Sequence, residues 1–85
     1  MNIVYTKHAQ KKFEDLAKLG IKVTKILVKQ VVTNPQHQAK DPSSEHNTIA
    51  SRELDRNLVL RVVYRVEDGI ILVITFYPSE KGRYF

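Results

Sequence analysis

The stretch that decides the fold is residues 58–85, which read LVLRVVYRVEDGIILVITFYPSEKGRYF. Two apolar-rich runs, residues 58–66 and 70–77, flank a Glu-Asp-Gly sequence at 67–69. The first run alternates between two sets of side chains, and the second is apolar throughout, as in a central strand covered on both faces. The pattern predicts a β-hairpin.

The length of the connecting loop decides which side chains of this hairpin share a face. We predict a three-residue loop, residues 67–69, formed by a type I turn and a left-handed glycine. The pairs that follow are Val66 with Ile70, Tyr64 with Leu72, Val62 with Ile74 and Leu60 with Phe76. The even-numbered side chains then pack on the helices, and the opposite face carries Arg61, Arg65, Val73, Thr75 and Tyr77. A two-residue Asp-Gly loop would place the arginines beside core side chains, so we reject it.

The N-terminal part of the chain predicts a short strand and two helices. Residues 2–5 favour β-structure, and Thr6 is suited to cap a helix over residues 7–19. Gly20 ends that helix, because glycine can adopt the left-handed conformation that closes the last turn. A second helix is predicted from about residue 23 to 33, where an Asn-Pro pair ends it. The short connection between them predicts an antiparallel helical hairpin.

The remaining segments are less regular. Residues 36–47 have no periodicity and are predicted to form a loop, whereas residues 48–54 are predicted to form a strand. Two registers of that strand stay open. One puts Arg52 on the helix side, which is unfavourable for an unpaired charge, and the other puts it beside Arg61. The predicted order is β-α-α-β-β-β, a single α+β domain of 85 residues with a two-helix hairpin packed on one face of an antiparallel sheet.

The composition favours an anionic partner. The chain has 14 Lys and Arg residues against 9 Asp and Glu residues, a formal net charge of +5. This balance favours nucleic acid, an acidic protein or a membrane surface and does not choose among them. The chain has no cysteine, no signal-peptide-like apolar segment and no apolar run near the ~20 residues that span a bilayer. We therefore expect a cytoplasmic protein without a membrane partner.

Short sequence motifs along nearly the whole chain resemble those of one superfamily. They are Lys7-His8-Ala9, Gly20-Ile21, Asn34-Pro35, Leu60-Arg61-Val62-Val63-Tyr64, Thr75-Phe76-Tyr77-Pro78 and Arg83-Tyr84. With the element order, the size and the basic charge, they make the chain similar to the RelE/ParE toxins of bacteria and archaea, and within them to a family close to the BrnT-like toxins. The resemblance implies a RelE/ParE-like fold.

The resemblance also implies a function. It implies the toxin of a toxin–antitoxin system, with metal-independent cleavage of mRNA, often on the ribosome, no cofactor, and a cognate antitoxin as partner. Arg61 matches the strand arginine that binds the scissile phosphate, and Arg83 matches the late basic residue. Tyr77 or Tyr84 matches the late tyrosine. Some branches of the superfamily have lost this activity or act on DNA gyrase, so the resemblance supports the fold more strongly than the reaction.

The candidate site residues could support RNA cleavage, but each of them could also have an ordinary structural role. RNA cleavage without a metal needs a base, cations near the phosphate and an acid. Arg61 and Arg65 are four residues apart, so they would lie about 13 Å apart along one face of a strand, which suits two contacts along one phosphate backbone. Alternatively, both point into solvent from a wet sheet face. Tyr77 could act as a base assisted by cations such as Lys81 and Arg83, stack on a nucleobase, or cap the sheet edge.

The histidines provide one candidate and no metal site. His8 lies in the first helical turn, where it could transfer protons or simply bond to the backbone. His37 and His46 lie in the predicted loop with Asp41 and Glu45, but their spacing fits no standard metal site. We predict no metal.

Basic side chains elsewhere are candidate nucleic-acid contacts. On the first helix they would add salt-dependent, sequence-independent affinity, or form an ordinary solvated face. The full set of predicted contacts is Lys7, Lys11, Lys12, Arg52, Arg65, Lys81 and Tyr84.

Two alternatives to a ribonuclease stay open. One is a catalytically silent RNA- or ribosome-binding domain on the same scaffold, because no residue has general base as its single sensible role. The other is a protein-interaction module whose basic groove holds an acidic partner segment. The sequence also leaves open whether the protein is a homodimer.

Overall fold

Residues 2–82, which the computed structural model describes, fold into two helices packed on one face of a five-stranded sheet. The elements are β1 (Asn2–Tyr5), α1 (Lys7–Lys18), α2 (Lys25–Thr33), β2 (His37–Asp41), β3 (Ser44–Glu53), β4 (Leu58–Glu67) and β5 (Ile70–Glu80). The sheet order is β1-β5-β4-β3-β2, with β1 parallel to β5 and the other neighbours antiparallel. The α+β class is confirmed. The predicted order lacks one strand, and the sheet is mixed rather than antiparallel.

Each helix begins at a threonine cap. Thr6 Oγ1 accepts a hydrogen bond from Ala9 N (3.0 Å), and Thr24 Oγ1 accepts one from Leu27 N (3.1 Å). The second helix begins later than predicted because Thr24 supplies its cap. Thr6 Oγ1 also donates to Ile74 O (2.8 Å), which joins the start of α1 to β5. No helix in the described part of the chain is long and apolar enough to span a membrane.

The strand β2 is the element that the sequence does not predict, and it lies within the predicted loop, residues 36–47. It pairs antiparallel with β3, with His37 opposite Ser51. Almost all of β2 is exposed, so neither of its faces is apolar and the sequence shows no alternation. The turn after it is held by Asp41, whose Oδ1 accepts hydrogen bonds from Ser43 N (2.9 Å) and Ser43 Oγ (2.7 Å). These bonds, chiefly the backbone one, lower the pKa of Asp41 below its ordinary value.

The turn between β3 and β4 settles the register that the sequence leaves open. It has three residues, 55–57, so Arg52 lies on the helix side of the sheet. That charge is compensated, because Arg52 Nη1 donates to Asn34 O (3.0 Å) at the end of α2. Ser51, rather than Arg52, lies opposite Arg61.

The β4–β5 hairpin has the two-residue loop that the sequence argument rejects. Asp68 and Gly69 form it, and both have positive φ, 50° and 75°. These angles are those of a type I′ turn, whose twist matches the twist of the flanking strands. The predicted pairs are therefore wrong: Tyr64 lies opposite Val73 rather than Leu72. Val73, predicted for the face away from the helices, is fully buried in the core.

A β-bulge in β5 makes the two-residue loop compatible with an apolar core. Tyr64 pairs with Val73 and Val63 pairs with Thr75, so Ile74 is an extra residue between these pairs. Beyond the bulge, odd-numbered residues of β4 lie opposite odd-numbered residues of β5. Arg61 therefore shares a face with Tyr77, as predicted, although the loop is shorter than predicted, whereas Arg65, between the loop and the bulge, lies opposite Leu72.

Both faces of the central strands are buried. On the helix side, Phe76 is fully buried, and its ring centroid lies 4.7 Å from that of Phe13, which contacts Tyr5 edge-on at 5.6 Å. We call the side away from the helices the second face. This face is largely buried in the central strands, whereas the sequence allows a solvent-exposed face as an alternative. The buried side chains on it include Ile49, Ser51, Val59, Arg61 and Val63.

Candidate functional site

Four polar side chains of different chemistry form one row across the second face. The strand register pairs His37 with Ser51, Ser51 with Arg61, and Arg61 with Tyr77. Directly opposed residues of antiparallel strands have their side chains on the same face of a sheet. We call these four residues the cross-strand row. It crosses β2, β3, β4 and β5, and folding brings together residues that are distant in the sequence.

Arg61 is held from both sides within this row. Its Nε donates to Tyr77 Oη (3.1 Å), and its Nη1 donates to Ser51 Oγ (3.4 Å). Its Cζ lies 5.9 Å from the centroid of the Tyr77 ring. Arg61 is 7% exposed and Ser51 1% exposed. A charge at such low exposure is tolerated only when hydrogen bonds replace its hydration, so the row fixes the guanidinium in one orientation.

Arg65 lies on the same face, further along β4, and is fixed by its own partners. Its Nε donates to Asn47 Oδ1 (3.0 Å), and its Nη1 pairs with Glu67 Oε1 (3.2 Å). Asn47 is itself buried. The two arginines therefore share a face as predicted, but both lie along the sheet toward other side chains instead of projecting into solvent.

The predicted site residues of the first helix lie on the other side of the sheet. Lys7, His8 and Lys11 are exposed on α1, and Lys12 is half-buried there. Because α1 packs on the helix side of the sheet, the fold does not bring His8 to Arg61. His8 and the row cannot act on the same bond without a rearrangement of the fold.

The remaining predicted site residues that the structure describes lie elsewhere in the fold. Lys81 forms an ion pair with Glu53 at the end of β3. Arg52 is on the helix side, away from the cross-strand row. The predictions for Arg83 and Tyr84 fall outside the residues that the structure describes.

The sequence analysis does not identify Ser51 and His37 as members of the same row as Arg61. A signal exists for Ser51, since the three-residue turn at 55–57 puts it opposite Arg61. No comparable signal exists for His37, because its strand shows no alternation. Its position becomes known only when β2 pairs with β3.

Among the described residues outside the row, no other group of side chains is arranged as a second candidate active site. Burial raises the pKa of Tyr5 and of Tyr64, and the Tyr64 hydroxyl accepts a hydrogen bond from Gln38 Nε2 (3.1 Å). Within residues 2–82, no group of three or more His, Asp or Glu side chains is arranged to hold a metal ion. His46 lies close to its neighbour Glu45, with 3.8 Å between Nε2 and Oε1.

Comparison of the chain with family models, curated proteins and solved structures finds no match. The function is therefore inferred from the cross-strand row and from the resemblance of the sequence.

Proposed function

We propose that the chain is a toxin-like endoribonuclease that cleaves RNA without a metal, with the cross-strand row as its active site. The observation that carries this proposal is the orientation of Arg61, which is bonded to Ser51 and Tyr77 on neighbouring strands. A planar guanidinium in a fixed orientation suits the geometry of a phosphate. The resemblance of the sequence to the RelE/ParE toxins supports the same reaction.

The row has proton-transfer groups on both sides of the arginine. In this class of cleavage, a base removes the proton of the 2′-hydroxyl and the oxygen attacks the adjacent phosphorus. The bond to the 5′-oxygen breaks as an acid protonates that oxygen, which leaves a 2′,3′-cyclic phosphate and a 5′-hydroxyl. Base and acid must therefore lie on opposite sides of the phosphate.

The order of the row fits that requirement. Tyr77 is on the strand next to Arg61, and His37 is two strands away on the other side, about 10 Å from it between backbones. We assign His37 as the base, because imidazole exchanges protons near neutral pH. We assign Tyr77 as the acid. The Arg61 N–H that points at its phenol oxygen would hold the negative charge left there.

The burial of Arg61 favours a second candidate, an RNA- or ribosome-binding domain that does not cleave. At 7% exposure, the guanidinium offers little surface to a phosphate. In that case the row stabilises the sheet, and exposed lysines supply salt-dependent affinity for RNA.

Cleavage by the purified protein in excess EDTA, with end-group analysis of an RNA substrate, tests the first candidate. We expect products with 2′,3′-cyclic phosphate ends, and a loss of rate of about 10²-fold or more in His37→Gln and in Tyr77→Phe. His46→Gln is the matched control, since His46 is the other exposed histidine of the β2–β3 region, and it should retain the wild-type rate. Salt-dependent binding without cleavage would leave the second candidate, and neither binding nor cleavage would reject both.

A further inference from the structure

The net charge of the chain comes from its helical half. Residues 1–34 contain seven lysines and two acidic residues, whereas residues 35–85 contain equal numbers of basic and acidic residues. No acidic residue occurs between Asp15 and Asp41, a segment that includes all of α2. Lys22, Lys25 and Lys29 are exposed, and within residues 2–82 none of them forms an ion pair. The positive potential is therefore concentrated on the side of the molecule opposite the cross-strand row.

A groove on this side combines charge with apolar surface. It lies between β1 and α2 and has a volume of about 300 Å³. The residues that line it are Asn2, Ile3, Tyr5, Lys25, Ile26 and Lys29. Ile26 is 72% exposed, so it contributes little to the core. Lys25 Nζ lies 5.4 Å from the centroid of the Tyr5 ring, which places one cation directly above the aromatic part of the groove.

One wall of the groove is an open strand edge. β1 pairs only with β5, and within the described residues no strand pairs with its outer edge. Exposed edges are usually blocked by charged residues, proline or bulges. Asn2, Ile3, Val4 and Tyr5 include no charge and no proline. The Tyr5 carbonyl already accepts a hydrogen bond from Gln10 Nε2 (3.3 Å), so the edge is able to accept a short further strand alongside the residues before Tyr5.

We propose that this groove binds an extended acidic segment of a partner protein. The segment adds to the outer edge of β1 through main-chain hydrogen bonds. Its alternate apolar side chains contact Ile3 and Ile26, and its carboxylates pair with Lys25 and Lys29. The proposal is independent of the ribonuclease proposal, because the groove and the row lie on opposite sides of the sheet.

A protein segment fits the groove better than RNA does. The exposed side chain of Ile26 and the open backbone of β1 have no counterpart in a phosphodiester chain, whereas both match an alternating peptide strand. Lys25 covers the Tyr5 ring, so that ring is not free to stack on a nucleobase. The lysines select for negative charge, and the apolar floor and the strand edge select for a polypeptide.

Fluorescence anisotropy with a short labelled peptide in which glutamate alternates with valine tests the proposal. The double variant Lys25→Glu/Lys29→Glu should bind the peptide about tenfold or more weakly than wild type. The matched control Lys40→Glu/Arg56→Glu makes the same change of net charge at exposed positions away from the groove, and it should bind within about threefold of wild type. Ile26→Ser should also weaken binding, and thermal unfolding would show that each variant is folded.

Amide chemical shifts provide the second readout. Bound peptide should shift the amides of Asn2–Tyr5 and those near Lys25 and Lys29. The proposal is overturned if wild type does not bind the peptide, if both double variants weaken binding equally, or if the shifts lie elsewhere. It is also overturned if a uridine oligonucleotide displaces the peptide from this groove and binds more tightly, since the groove would then be a nucleic-acid site.

Discussion

Arg61 and Tyr77 lie directly opposite each other on β4 and β5, and a 3.1 Å hydrogen bond joins Arg61 Nε to the phenol oxygen. The guanidinium is 7% exposed, so this bond replaces water that the charge loses on folding. Within residues 2–82, every buried side-chain nitrogen and oxygen has a hydrogen-bond partner. The pair therefore links the stability of the sheet to the geometry of the proposed active site.

Removal of the phenol oxygen should destabilise the protein even though the aromatic ring remains. We expect Tyr77→Phe to lower the free energy of unfolding by about 1.5–3 kcal/mol, the range for a hydrogen bond to a charged group. Urea unfolding measures this change. The control is Tyr5→Phe, which should cost less, because within the described residues the hydrogen bond of Tyr5 is made by its backbone carbonyl and not by its hydroxyl. Equal costs would show that the Tyr77 hydroxyl contributes nothing specific.

The positive φ of Asp68 distinguishes the two-residue loop from a three-residue one. A β-branched residue strongly disfavours this conformation, so Asp68→Val should lower the free energy of unfolding by about 1–2 kcal/mol. Asp68→Asn should be close to neutral, because asparagine tolerates the conformation. In a three-residue loop Asp68 would have negative φ, and both substitutions would have small effects. Thermal or urea unfolding of the two variants decides between the loops.

The Thr6 hydroxyl makes two hydrogen bonds, whereas the Thr24 hydroxyl makes one. Thr6→Val removes the helix cap and the bond to Ile74 O, and we expect it to cost about 1.5–3 kcal/mol. Thr24→Val removes a cap alone and should cost about 1 kcal/mol. Thr6→Ser should restore most of the loss. Urea unfolding of the three variants would contradict this account if the two valine variants were equally stable.

The turn after β2 should weaken in acid. Ionised Asp41 accepts two hydrogen bonds from Ser43, which hold its pKa in the folded state below that in the unfolded chain. Their contribution to stability is therefore present above the ordinary aspartate pKa, ~3.9. It is lost as the pH falls through the lower pKa of the folded state.

An NMR titration of the Asp41 carboxyl measures this pKa directly. The midpoint should lie below that of an ordinary aspartate, and Ser43→Ala should raise it partway, because the backbone hydrogen bond remains. An unchanged midpoint in Ser43→Ala would show that the Ser43 hydroxyl does not contribute.

The helices and the positions of the last two turns, but not the lengths of those turns, could be predicted because their signals are local. Gly20 and Thr6 each act within a few residues, and the apolar spacing of a helix is visible in one stretch of sequence. The register of β5 has no such signal, since residues 70–74 are all apolar and would suit either face of the sheet. The strand β2 is exposed on both faces, so it resembles a polar loop.

The candidate site could be predicted only in part, for the same reason. Arg61 and Tyr77 share a face in both the predicted and the observed register, because the bulge compensates for the shorter loop. Their neighbours Ser51 and His37 depend on pairing with β3 and β2, which is a long-range property. His8 is a candidate because of its local position in a helical turn, and the fold puts it on the other side of the sheet.

The extra residue in β5 has a consequence for how related chains should vary. The backbone carbonyl of Ile74 accepts the hydrogen bond from the Thr6 hydroxyl, and Ile74 is the extra residue of the bulge. A single inserted residue thus creates the anchor for the start of the first helix, sixty-eight positions away in sequence. Homologues that lack the insertion still need a helix cap at position 6 but no longer need a side chain that donates, so aspartate should replace threonine there more often when the insertion is absent.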